Sequence, residues 1–544
     1  MPGVAFPVTN EATGKRSTTK AAKIILSAAI GAAGPAGQVF ANALMGESDK
    51  KWRYGYIKHM QLPAELAAAA GFNENGSKMQ VAIAKAGLQK AHETLIFERA
   101  GSNYTMADVV AADGPFKGGS FDTGCVTGDR SVSSRGVGIS VPYEGKSLRK
   151  DSLLSEVRRW ARNGSCEPSF AEGIGAAIRN EEDWFDLTGK IFVLVGATSE
   201  MGPLSFLLER GATVVALARP NSARKPNKWA NVLKTAKLGC GKLFFPVTSG
   251  KESVVEQAVE EGKLAEAARF AGADATEDTP EIINWLSGLF SGEMMHIVSL
   301  IYMDGEGFVR ASLAMDAIVS ALRERREKPP ALVYIDTPTH AHIVPQEAAD
   351  FSKRLRSQAP VWQRLLQFIG LLNPMRFKSL SGGNLIPDAL AIQQGPNYAI
   401  AKYIQRWRAM VARSSGQIVS ITVGPATNTV SVLHSPTMRR VMENVSLFQP
   451  LVAMQPETVS SLLAIIMIRD ICDPSSKAQP ATPLEHPSQL ILDQAWHGGV
   501  FRSAWDWQSS GKIGVIYSYI KQYKFVLIGL LLMALVGARM LRGQ

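Results

Sequence analysis

Cysteine is scarce in this chain of 544 residues: Cys125, Cys166, Cys240 and Cys472 are scattered without metal-ligand spacing. That excludes a disulfide framework and a cysteine-built zinc site, and it fits a reducing compartment. His340 and His342 stand two apart but lack a third ligand in the sequence around them, so no metal is expected. The net charge is +11, from 59 bases against 48 acids, yet most of the bases are mixed with acids, as in Leu322-Arg-Glu-Arg-Arg-Glu-Lys328. With no aromatic platform or recognition motif beside them, no nucleic-acid partner is expected, while weak attraction to an anionic membrane surface is allowed. Charged and polar residues are spread through the first twenty-four positions, so the stretch does not resemble a secretory signal.

What the chain does contain is a strand, a turn and a helix start in Lys190-Ile-Phe-Val-Leu-Val-Gly196-Ala-Thr-Ser-Glu-Met-Gly202, with Tyr398-Ala-Ile-Ala-Lys402 about two hundred residues on. A strand ending at Val195 and followed by small residues lets the backbone approach a pyrophosphate, whose charge is favoured at a helix N-terminus. Gly196, Thr198, Ser199, Met201 and Gly202 are the candidate cofactor contacts of that turn. On a helix, positions i and i+4 share a face, so Tyr398 and Lys402 point into one cleft. There a phenol can give a proton to a substrate oxygen, with the ammonium lowering its pKa.

On these residues the stretch from about Leu187 to Gly499 resembles the short-chain dehydrogenase/reductase family. The resemblance implies an α/β fold of the Rossmann type, a doubly wound parallel sheet, in which the glycine turn binds the dinucleotide and the Tyr-x-x-x-Lys pair carries proton transfer. Further apolar, β-branched runs fall in the family's order and read as strands two to seven: 213–219, 242–248, 296–302, 331–337, 417–423 and 489–493. The resemblance also makes Thr337 the hydroxyl that ends the fifth strand and places Pro425, in Gly424-Pro-Ala-Thr-Asn-Thr429, beside the nicotinamide. Three positions depart from the family. Glu200 replaces the middle glycine, Tyr302-Met-Asp-Gly305 replaces the Asn-Asn-Ala-Gly turn, and no Asn occurs between Asn284 and Asn373. The end of the second strand carries Arg219, followed by Arg224, Lys225 and Lys228. A base there accommodates a 2′-phosphate, so the expected cofactor is NADP (NADPH).

The rest of the chain divides around this core. Residues 1–46 read as a targeting segment or a packed helix, 47–186 as an unassigned, mainly helical N-terminal region, and 187–500 as the reductase-like domain with an insertion at 338–395. Met79 to Arg99 has helical apolar spacing, and Asp113 to Pro142, rich in Gly and Ser, reads as loop. Within the insertion, 360–374 has a broad apolar helical face, which suits either a lid that dips into lipid or a helix packed on the N-terminal region. Phe525 to Ala538 is an uncharged run flanked by Lys521, Lys524, Arg539 and Arg542. At 1.5 Å per residue it spans roughly 21 Å against a hydrocarbon core of about 30 Å, a gap that snorkelling bases and local thinning close. A C-terminal single-pass membrane anchor over 513–544 is therefore expected, the alternative being a buried terminal helix. Together these readings give two function classes: a membrane-tethered, NADP-dependent oxidoreductase acting on a carbonyl or alcohol of a lipophilic small molecule, or a non-catalytic dinucleotide-binding scaffold. Either is compatible with a homo-oligomer.

Overall fold

The computed structural model describes residues 2–129, 131, 136–391 and 394–523. Its centre is a seven-stranded sheet, labelled in chain order β1 (Asp122–Thr127), β2 (Ile191–Val195), β3 (Thr213–Leu217), β4 (Lys242–Val247), β5 (Met295–Ser299), β6 (Ala331–Asp336) and β7 (Val419–Val423). The spatial order is β7-β6-β5-β2-β3-β4-β1. Strands β2 to β7 run parallel and β1 is antiparallel to β4. Every residue of β2 is buried, because helices cover both faces and leave a central strand no wet side. The order reverses at β2/β5, the crevice where open α/β sheets place ligands.

Six of the seven parallel strands expected from the sequence are present. The stretch expected as the last strand holds a single helical turn, Gln489–Leu492, instead. Its flanks are pinned elsewhere: His486 Nδ1 lies 2.8 Å from Ser488 Oγ, and the Asp493 amide donates to the Gln489 carbonyl at 2.9 Å. The seventh strand comes from the Gly/Ser-rich stretch read as loop. Asp122-Thr-Gly-Cys-Val-Thr127 has little strand propensity of its own, but a ladder to β4 makes it a strand. Gly124 is required there, since a Cβ at that position would lie 2.4 Å from the Phe245 ring.

The fold class expected from the sequence needs one correction. Among the described residues no helix is long and apolar enough to cross a membrane. The described part of the expected anchor lies in the helix at 507–523, which carries Lys512 and Lys521 along with six serine and tyrosine hydroxyls at 509, 510, 517, 518, 519 and 523, too many polar groups for a hydrocarbon core. The run Phe525 to Ala538 lies outside the described residues.

Four helices, α1 (Thr18–Gly31), α2 (Pro35–Gly46), α3 (Asp49–Ala69) and α4 (Glu74–Thr94), precede the sheet. They share one hydrophobic core with two later helices, α5 (Glu306–Arg325) and α6 (Gly395–Ser414). Contact between α4 and α6 depends on Gly87, where an added Cβ would meet the Trp407 ring at 2.4 Å. A buried ion triad bolts the same helices together. Asp316 on α5 accepts from Arg408 Nε at 2.7 Å and Nη2 at 2.9 Å, and His92 Nε2 of α4 lies 2.6 Å away. Burial alone would raise the Asp316 carboxyl, but Arg408 and His92 overcome it and hold it well below the usual range.

On the far side, Glu167 is buried against His497 Nε2 at 3.1 Å and Arg502 Nη2 at 2.7 Å. Burial acts to raise its pKa, and the hydrogen bonds and charge supplied by His497 and Arg502 more than offset it, leaving it at about 2.

Two outcomes are expected. Gly87→Val should lower the denaturant midpoint by the equivalent of about 1–3 kcal/mol, the cost of forcing methyl groups into a packed contact; an unchanged midpoint would show that α4 and α6 do not touch there. The depressed Glu167 pKa contributes stability that is complete above the ordinary value of 4.5 and is lost as pH falls toward about 2. Glu167→Gln should accordingly flatten the acid limb of a Tm-against-pH curve between those values, and a limb of unchanged slope would contradict the pairing.

Candidate functional site

Three elements converge at the carboxyl ends of the central strands: the turn after β2, the segment that leaves β6, and helix α6. The face of α6 that meets β6 repeats every four residues with Tyr398, Lys402 and Arg406. Sequence reasoning found the first two and missed the third, although the same i, i+4 spacing extends to it.

Arg406 is buried, 3% exposed, and nearly every donor it has is engaged. Its Nε donates to Asp336 Oδ2 at 2.6 Å, Nη1 to the Ala341 carbonyl at 2.6 Å and to His340 Nδ1 at 3.0 Å, and Nη2 packs on the His342 ring, 2.5 Å from Nε2 and 3.2 Å from Nδ1. His340 Nε2 donates to the Ala399 carbonyl at 3.0 Å, and His342 Nε2 to the Thr337 carbonyl at 2.7 Å. Burial first, then the guanidinium, pushes both histidines far below their ordinary pKa, so they are neutral. His340 and His342, a pair that lacks a third ligand in the sequence around it, pack the loop leaving β6 against α6.

That packing brings Thr337 to Tyr398. Burial raises the Tyr398 pKa above the ordinary value, although the neighbouring Thr337 hydroxyl acts to lower it. The Phe308 ring, at 5.4 Å between centroids, and Tyr302, at 6.5 Å, stand beside it. Thr337 Oγ1 lies 2.8 Å from Thr339 Oγ1, which donates to Gln394 Oε1 at 2.7 Å. Lys402 Nζ donates to the Ile335 carbonyl at 2.7 Å and to Gln405 Oε1 at 3.1 Å, and burial lowers its pKa to about 8. Gln405 in turn reaches Ser312 of α5 at 3.2 Å, on the helix where the resemblance leads one to look for an asparagine.

The turn after β2 is tight. Gly196 has φ +97, and a Cβ there would sit 2.9 Å from the Leu300 carbonyl oxygen. Its neighbours close on themselves: Ser199 N donates to the Gly196 carbonyl and Gly202 N to the Ser199 carbonyl, each at 2.9 Å. Thr198 is exposed, and Met201 lines a narrow apolar crevice with Leu300, Leu463 and Met467. The helix that follows, Leu204–Leu208, has only five residues. Glu200 Oε2 accepts from the Val430 backbone amide at 3.0 Å, which ties the turn to the loop after β7. Pro425 in that loop is buried.

At the end of β3 the Arg219 side chain is exposed, while its carbonyl accepts from Lys228 Nζ at 3.2 Å and Trp229 Nε1 at 3.1 Å. Burial, with the nearby charges of Arg219 and Lys225, lowers the Lys228 pKa to about 8. Three cations thus crowd one loop, an arrangement that suits a phosphate. Among the described residues no group of His, Cys, Asp and Glu is placed to hold a metal ion.

No family model matches the chain, and no curated protein matches it. Thirty chains of solved structure do match. One is the angucycline C-6 ketoreductase LanV with bound NADP, 9% identical in sequence, with the match covering 58% of this chain and 97% of that one at a TM-score of 0.28. A likeness that low carries no argument about the chemistry of this chain.

Proposed function

We propose that this chain is an NADP-dependent oxidoreductase that interconverts a carbonyl and an alcohol on a small, largely apolar substrate. The observation that carries the reading is the meeting of Tyr398, Thr337 and Lys402 at the strand ends, between the β2 turn and the loop after β7. Gly196, Ser199 and Gly202 would face the pyrophosphate, Arg219, Lys225 and Lys228 the 2′-phosphate, and Pro425 the nicotinamide side. The cofactor supplies or accepts the hydride. Tyr398 protonates the oxygen that gains charge, Thr337 hydrogen-bonds the same oxygen, and the Phe308 and Tyr302 rings favour an apolar substrate. Lys402 sits with its ammonium over the Phe308 ring, 5.6 Å from the centroid, and places positive charge near the phenol that loses a proton.

A second reading, a non-catalytic scaffold with a reductase-like fold, draws on Glu200. Its carboxylate is fastened to the Val430 amide where phosphate oxygens would lie.

The two readings separate on binding and turnover by the full chain. NADPH is expected to bind more tightly than NADH, and Arg219→Asp to weaken NADPH by about 1.5–3 kcal/mol, the worth of one charge-assisted hydrogen bond; equal affinities in the unmodified chain would end the NADP assignment. With a panel of ketones and aldehydes, Tyr398→Phe should lower turnover roughly 10²–10⁴-fold with little change in NADPH affinity, since only the proton donor is removed. Full turnover by that variant, or none by the unmodified chain, would favour the scaffold.

A further inference from the structure

Phe368 is 88% exposed, more than any other large apolar side chain among the described residues. It ends the helix Val361–Phe368, where Val361, Leu365 and Ile369 are each more than half exposed and Trp362 stands at the margin. An amphipathic helix ordinarily turns its apolar side inward. Here the reverse holds, because the polar side is the one that is fastened. Gln363 donates to the Leu447 carbonyl at 2.9 Å and accepts from Trp505 Nε1 at 2.8 Å, and the Trp362 ring packs 5.8 Å from that of Phe448. At 100° per residue, Val361, Leu365 and Phe368 fall within an arc of about 60° opposite Gln363. Leaving that arc in water costs free energy that a covering surface would recover.

Charge indicates the kind of surface. From 351 to 387 the sequence holds six bases, Lys353, Arg354, Arg356, Arg364, Arg376 and Lys378, and no acid. Lys378 is held by Glu65 at 2.6 Å, but among the described residues Lys353, Arg356 and Arg364 have no ion-pair partner. Arg364 precedes Phe368 by four residues and so flanks the apolar arc. A second copy of the chain would set these bases against their own images, which disfavours self-pairing. A neighbouring helix repeats the pattern: 507–523 presents Ile516, Tyr517, Ile520 and Tyr523 close to half exposed, with Lys512 and Lys521 and no acid. It is joined to the first through Asn373, whose amide donates to Ser509 Oγ at 3.0 Å and whose carbonyl accepts from the Asp506 amide at 2.9 Å.

We propose that the outer face of Val361–Phe368 docks on an anionic lipid surface. Leu365 and Phe368 enter the upper acyl region, Trp362 lies at headgroup level, and Arg364 with the neighbouring bases meets the phosphates. The contact is peripheral, since eight helical residues measure roughly 12 Å and lie along the surface instead of crossing it. It stands independently of the chemistry at Tyr398.

The test uses the full chain and vesicles of phosphatidylcholine, alone or mixed with phosphatidylserine, whose acyl chains carry bromine as a short-range quencher of tryptophan. Of the ten tryptophans only Trp362 is exposed, so it reports on this face. Anionic vesicles are expected to quench the unmodified chain, and phosphatidylcholine alone to do so much less. Trp362→Phe, which keeps an apolar ring against Phe448, should bind as before with most of the quenching gone. Phe368→Ser and Arg364→Glu should each weaken binding to anionic vesicles about ten-fold or more, with Tm unchanged because both side chains are exposed. Quenching that survives Trp362→Phe, or binding untouched by both Phe368→Ser and Arg364→Glu, would overturn the proposal even where another part of the chain carries it to the vesicle. Absence of binding by the unmodified chain would overturn it as well, and a dimer that Phe368→Ser dissociates would give the face to a second copy instead.

Discussion

The buried guanidinium of Arg406 is the interaction on which the site depends. A cation 3% exposed is tolerable only if its donors are met, and Asp336, Ala341, His340 and His342 meet them from one short stretch of chain. Because the partners come from the segment that leaves β6, satisfying Arg406 dictates the path of residues 336–342 over α6. Thr337 reaches Tyr398 as a consequence, and Thr339 reaches Gln394. His340 must be a neutral acceptor at Nδ1 for this to hold, where it also takes the Ala341 amide, and its Nε2–H then finds the Ala399 carbonyl, while the guanidinium packs on the edge of the neutral His342 ring.

The N-terminal helices stiffen the same helix from behind. Trp407 follows Arg406 directly, is fully buried, and lies against the bare backbone of Gly87, while Arg408 is held by Asp316, which His92 also binds. Three consecutive residues of α6 are therefore fixed by three separate parts of the chain. A helix so constrained cannot rotate without breaking a buried ion pair, which keeps Tyr398 and Lys402 aimed at the strand ends.

Local pattern made the centre of this fold legible. Strands β2 to β7 are short β-branched or aromatic runs between turn residues, and Tyr398 with Lys402 stands out by its helical spacing together with its place downstream of the glycine turn. What could not be read depends on distant pairing. Residues 122–127 become a strand only because β4 offers an edge with room for Gly124 beneath Phe245, and 489–493, apolar enough for a strand, coils into one turn. His92 and Asp316 are 224 positions apart, and nothing in either neighbourhood announces the other. The helix Val361–Phe368 shows a subtler limit: its apolar face was plain, but Gln363 is the residue that turns inward, to the Leu447 carbonyl and Trp505, while Leu365 and Phe368 face outward at 59% and 88% exposure. Periodicity identifies a face; which way it points depends on what the opposite surface offers.

Whether Glu200 disqualifies the turn is a question of magnitude. The carboxylate is exposed, so solvent screens it, and charge interactions at exposed positions are worth about 0–1 kcal/mol. Its bond to the Val430 amide is a single surface hydrogen bond, and rotating the side chain away costs on the order of 1 kcal/mol. Against this stand Arg219, Lys225 and Lys228, close enough that their mutual repulsion adds to burial in depressing the Lys228 pKa to about 8. An anion placed among them relieves that repulsion and gains charge-assisted hydrogen bonds of about 1.5–3 kcal/mol each. On the proposed NADP reading, the attraction at the β3 end would thus exceed the penalty at the β2 turn, and Glu200 serves as the latch between the turn and the loop after β7.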